Sequence, residues 1–215
     1  MFMTNLSYNL LITRTVELSQ KGVINMVFNT GERKYSYADY LSWGEGEQIE
    51  IIDGDVFRIP PAHSRQHQQI LRELSIEFSL FLREREGEAY FAPFDVRLQS
   101  EKKEDDEVYN FVQPDLTVIL DYKKLDNKGC KGTPDLIIEI LSPSSVKLDR
   151  LKKYRLYERV GVKEYWIVDA MNESIEVYVL DDQQYVVYGV FTKEDTIQVP
   201  TLRGLEIDLN HIFRS

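Results

Sequence analysis

Apolar side chains recur at three- and four-residue steps between residues 64 and 85: Ile70, Leu71, Leu74, Phe78, Phe81 and Leu82. That spacing puts them on one face of an amphipathic helix. Elsewhere the apolar runs are short and bounded by turn residues, as strands are. Residues 48–52 and 55–59 read as two strands joined by Asp53-Gly54, a strong hairpin signal. Further strands are predicted over 89–98, 112–120, 134–141, 164–168, 175–180, 184–191 and 205–209, with Asp181-Asp182 as a turn. Ser36 followed by Asp39 marks a short capped helix over 36–41. The segment from Ser145 to Gly161 reads as a basic helix, and the EKKEDDE stretch at 101–107 as a solvated loop. The fold class predicted is mixed α/β or α+β. No linker-like tract divides the chain, so residues 35–215 are expected to form one domain. Residues 1–34 show no strong period and are assigned as an N-terminal extension.

One polar position breaks the pattern. Glu139 lies inside DLIIEIL, where Leu136, Ile138 and Ile140 would pack on one face, and Asp135, Ile137, Glu139 and Leu141 would share the other. A buried carboxylate is costly unless paired or bound to metal. Asp115, after Pro114, opens the preceding strand, and the short connection makes the two strands sheet neighbours with their acids together. Adjacent like charges need a cation. Asp115, Glu139 and the carbonyl of Ile140 form a partial hard-oxygen shell suited to Mg²⁺ or Mn²⁺, with waters completing it. On the following helix Asp149, Lys153 and Tyr157 repeat every four residues, so Lys153 is placed to reach the metal site. A metal-activated water attacking phosphorus, with Lys153 offsetting charge on the phosphate, would cut a phosphodiester.

Charge qualifies the substrate. The net charge of -10 argues against a general nucleic-acid coat. Its distribution is uneven: six basic residues face two acids over 145–160, and four face two over 121–134. Lys147, Arg150 and Lys152 are accordingly the DNA-contact candidates, although a charged helix is also an ordinary solvated face. The single cysteine, Cys130, excludes an internal disulfide and any multi-cysteine zinc site and fits a reducing cytoplasm. Apolar runs are too short for a membrane span, so a soluble, cytoplasmic protein is expected.

In order along residues 35–213, YSYADYLSW, GEQIEIIDGDVFRI, PPAHSRQHQQI, FAPFDVRL, VQPDLTVIL, KGTPDLIIEILSPSS, DRLKKYRLYERVGVKEYWIVD and LRGLEIDLNHIF resemble the Uma-type restriction endonuclease family, a branch of the PD-(D/E)xK nucleases. The resemblance implies a restriction-endonuclease-like core, a mixed central β-sheet flanked by helices, with metal-dependent nuclease chemistry on DNA. By motif, Asp115 matches the acid of the PD element and Glu139 the acid of (D/E)xK. The lysine departs from the motif, because Leu141 stands two residues after Glu139. Lys153 occupies the place where this branch carries its lysine, in D-x-x-x-K-x-x-x-Y. The matching segments also bring in Glu50 as a third carboxylate and His67 as a contact to phosphate or water. Duplex cleavage needs two active sites or one used twice, which makes a homodimer the expected assembly.

Simpler readings stand beside these. A structural ion pair of Glu139 with Lys153 or Arg150 satisfies the same sequence, His67 reads equally as a helix-start hydrogen bond, and Tyr157, Tyr165 and Trp166 read as core. A non-cutting nucleic-acid-binding or regulatory protein, or an interaction scaffold, are the alternative functions.

Overall fold

The structure is a computed structural model that describes residues 27–28, 33–43, 48–59 and 64–214. Its centre is a six-stranded mixed sheet. In spatial order the strands are β13 (Gln184–Thr192), β12 (Ser174–Asp181), β11 (Glu164–Asp169), β10 (Leu136–Ile140), β7 (Leu116–Ile119) and β4 (Glu88–Phe91). β10 runs parallel to β11 and antiparallel to β7, with Ile138 opposite Leu116. A second sheet has the order β1 (Val27–Phe28), β3 (Asp55–Arg58), β2 (Ile49–Ile52), β6 (Phe111–Val112), β5 (Val96–Arg97), β9 (Gly129–Lys131) and β8 (Leu125–Asp126). A small pair, β14 (Thr196–Gln198) and β15 (Glu206–Asp208), completes the strands.

The predicted alternation in β10 holds. Leu136, Ile138 and Ile140 join one core with Ile70, Leu74 and Phe78 of α2 (Arg65–Leu82) and with Leu209 and Ile212 of α4 (Leu209–Ile212). Ile137 joins the opposite core with Leu156, Tyr157 and Val160 of α3 (Tyr154–Val160) and with Val96 and Val112 of the second sheet. The central sheet is therefore covered on both faces, and each fully buried aliphatic side chain there contributes about 1.5–3 kcal/mol. Residues 36–39 form the expected capping box for α1 (Tyr37–Ser42). Asp53 and Gly54 both take positive φ, as a hairpin turn of this kind requires.

Two predicted strands are each broken in the structure. Residues 89–98 divide into β4 and β5, and 112–120 into β6 and β7, with each half in a different sheet. The breaks fall at Pro93, which follows a cis peptide, and at Pro114. Proline lacks the N–H needed to continue a ladder, so the chain leaves one sheet there and enters the other. The basic helix also departs from a regular α-helix. Leu148–Lys153 is π-helical before α3 begins, with Tyr154 N–H bonded back to Asp149 O, and Gly161 ends α3 in the left-handed conformation.

The stretch 101–107 is largely exposed, although Asp105 pairs with Lys128 at 2.5 Å. Most of the predicted extension lies outside the described residues, while Val27–Phe28 pairs antiparallel with β3. Among the described residues no helix is long and apolar enough to cross a membrane.

Candidate functional site

The two proline breaks and the π-helical turn meet at one cleft, lined by His67, Gln113, Asp115, Glu139, Ile140, Asp149 and Lys153 among others. Asp115 directly precedes β7, and the pairing of Leu116 with Ile138 brings it across from Glu139 on β10. Its Oδ2 accepts the Ile140 N–H at 2.7 Å, so the peptide of the neighbouring strand fixes the carboxylate. Its Oδ1 stands 3.3 Å from Nε2 of His67. The helix-start reading of His67 holds, since its backbone N–H donates to Ser64 Oγ, while its ring faces the Asp115 carboxylate.

Lys153 is only 2% exposed and is surrounded by carboxylates. Its Nζ lies 2.8 Å from Glu50 Oε1, 2.9 Å from Glu139 Oε1 and 3.5 Å from Asp149 Oδ1. Burial opposes the lysine's charge, but these three acids outweigh it and hold the ammonium well above the usual lysine range. Burial, with Asp149, Glu50 and Asp115 adding repulsion, pushes the Glu139 carboxyl well above its ordinary range against the pull of Lys153. Tyr157 donates to Glu139 Oε1 at 2.7 Å. Lys153 and Tyr157 thus converge on Oε1, and neither engages Oε2. Glu50 is fully buried, sits against Lys153 and is not part of the cleft lining.

Asp115, Glu139, Lys153, Glu50, His67 and the Ile140 peptide therefore come together at one place. The basic candidates divide. Lys147 is exposed, Lys152 packs its ammonium 5.1 Å from the Phe57 ring centroid, and Arg150 pairs with Glu176 at 2.7 Å. Two participants were visible in the sequence only as spacing: Asp149 and Tyr157 flank Lys153 at four-residue steps. Tyr157 is core, as expected, but its hydroxyl also belongs to the site. Gln113 left no sequence signal.

Among the described residues no group of three or more His, Cys, Asp or Glu forms a ready-made metal cluster. The donor chemistry still fits a hard divalent ion, because Mg²⁺ is commonly held by one or two carboxylates with waters. Asp115 and Glu139 supply that pair on adjoining strands.

Asp149 carries a testable cost. Burial raises its carboxyl to about 6 from 3.8 despite Lys153. Because the folded value is raised, the favourable contribution is present below about pH 4 and is lost as pH rises through about 6. Asp149→Asn is expected to stabilise the protein at pH 8 by about 1–3 kcal/mol, with no gain below pH 4. Urea unfolding at both pH values measures this.

Comparison with known proteins gives the family and the fold. The model of the family described as "Uma2: Putative restriction endonuclease" matches residues 37–210. An uncharacterized Synechocystis sp. protein, slr1290, is 26% identical over 184 residues, covering 84% of this chain and 92% of its own. A second, sll1609, is 30% identical over 146 residues, covering 66% and 78% respectively. A crystal structure from Anabaena variabilis, described as "a putative nuclease belonging to DUF820", superposes with a TM-score of 0.64 at 19% identity, covering 83% of this chain and 97% of that one. At that identity the likeness concerns the fold, the restriction-endonuclease-like mixed sheet flanked by helices. With the family match spanning the cleft and every strand of the central sheet, this chain belongs to the Uma2 family of restriction-endonuclease-like proteins.

Proposed function

We propose that the protein is a metal-dependent DNA endonuclease whose reaction takes place in the Asp115–Glu139–Lys153 cleft. The observation that carries the reading is the buried lysine set among carboxylates beside a second, strand-fixed acid. Asp115 and Glu139, the latter through Oε2, would hold Mg²⁺ or Mn²⁺ together with the Ile140 carbonyl. Bound there, the ion would lower the pKa of a water and polarise the phosphate. Lys153, held protonated by its acids, acts as a fixed positive charge facing the phosphoryl oxygens and not as a general base. Tyr157 and Glu50 keep Glu139 and Lys153 in place. Hydrolysis adds water across one P–O bond, leaving a phosphate on one fragment and a hydroxyl on the other. Lys147 and Lys152, on the exposed side of the π-helical turn, would meet the DNA backbone. Two protomers related by a twofold axis would supply the two cuts of a duplex.

Supercoiled plasmid incubated with Mg²⁺ or Mn²⁺ is expected to be nicked or linearised, and to stay intact with chelator. Binding that persists in chelator with no cleavage under any metal would instead indicate a non-cutting DNA-binding protein.

A further inference from the structure

The cleft acids and lysine belong to the motif already discussed, but the chain of hydrogen bonds continues behind them. Gln113 connects the second sheet to the site. Its main-chain N–H donates to Glu50 Oε1 at 3.0 Å, the same oxygen that contacts Lys153. Its side-chain Nε2 donates to Asp95 Oδ1 at 2.7 Å, and the other oxygen of Asp95 accepts the Tyr37 hydroxyl at 2.7 Å. Asp95 is itself seated firmly. Its carbonyl accepts the Cys130 N–H at 2.8 Å, and a Cβ on Gly129 would come within 2.3 Å of that carbonyl oxygen. Only glycine permits this approach, and Gly129 also has φ +118°.

Gln113 stands between β6 and the Pro114-Asp115 step, where the chain passes from one sheet to the other. Rotation of its peptide would displace the Glu50 contact on one side and Asp115 on the other. The Asp95 carboxylate holds the Gln113 amide against that rotation, and the Tyr40 hydroxyl also bonds to the same side chain. We infer that Gln113 is a positioning residue: clamped by Asp95, it sets Glu50 and hence Lys153 at one side of the cleft and Asp115 at the other. The inference rests on the proposed nuclease reading for its effect on rate, but the clamp itself is testable without cleavage.

The test reverses the polarity of one hydrogen bond. Gln113→Glu sets two carboxylates against each other, whereas Asp95→Asn/Gln113→Glu restores a donor facing an acceptor and keeps the net charge. Each protein is checked for folding by circular dichroism, then followed by ¹⁵N NMR of the buried Lys153 ammonium, identified by its loss in Lys153→Met. Plasmid cleavage with Mg²⁺ is measured in parallel. Gln113→Glu is expected to shift or broaden the Lys153 signal and to lower kcat about 10- to 100-fold with little change in KM, since small misplacements have effects of that size. The double variant is expected to recover both. If Gln113→Glu does not fold, Asp95→Ala, which leaves Gln113 unclamped, replaces it and is expected to give the same signal and kcat losses. An unchanged Lys153 signal in the folded single variant, or no recovery in a folded double variant, would overturn the inference. Absence of cleavage by the unsubstituted protein would defeat the nuclease reading, while the NMR comparison would still decide the clamp.

Discussion

Glu139→Gln is expected to abolish metal-dependent cleavage, by about 10³-fold or more, while leaving the fold intact. The activity loss follows from the proposed role of Glu139 as one of two carboxylates for the ion. The retained stability follows from the charges around it. Lys153 keeps Glu50 at 2.8 Å and Asp149 at 3.5 Å after the substitution, so no buried cation is left without a partner. One negative charge disappears from a place where burial and neighbouring acids already disfavour it. The glutamine retains an oxygen that can accept from Tyr157. Plasmid cleavage together with thermal melting measures both halves. Retained cleavage would remove Glu139 from the chemistry, and a melting point lowered by roughly 10 °C or more would make the pair primarily structural.

Lys153→Met is expected to have the opposite balance, with a large loss of stability as well as activity. It leaves the buried Glu50, Glu139 and Asp149 with no ammonium among them. Removing one partner of a buried ion cluster costs about 3–5 kcal/mol. For a domain of this size that corresponds to a melting point lower by roughly 6–20 °C. The deficit should grow with pH. Lysine is charged in both folded and unfolded states between pH 5 and 8, so its own contribution is fully present across that window. Among the stranded acids, burial already holds the Glu139 and Asp149 carboxyls above their ordinary range, so their penalty develops as pH rises through the folded values. Melting curves at pH 5 and pH 8 therefore separate this account from one based on lost packing, which would give equal deficits. A melting point unchanged at pH 8 would show that Lys153 does not hold the cluster together.

These two residues also show what the chain reveals on its own. Glu139 was conspicuous because an acid interrupts an otherwise apolar strand, and Asp115 because proline and a short connection placed it on the neighbouring strand. Both rest on local periodicity and chain connectivity. The helical spacing of Asp149, Lys153 and Tyr157 likewise placed the lysine, and the contacts survive although the turn that carries them is π-helical. Arg150 illustrates the limit, because the basic run gave no sign that this residue pairs with Glu176 on β12.

The primary structure by itself determined the amphipathic α2, the Asp53-Gly54 hairpin, the two faces of β10 and the residue types of the site, since each depends on spacing over a few positions. The tertiary structure alone decided that Pro93 and Pro114 pass the chain between two sheets, and that Glu50 lies behind Lys153 and outside the cleft lining. It alone joined Gln113 to Asp95 and Tyr37. Such contacts join residues far apart in the chain, and no local period records which distant backbone or side chain will satisfy a buried polar group once the sheets have packed.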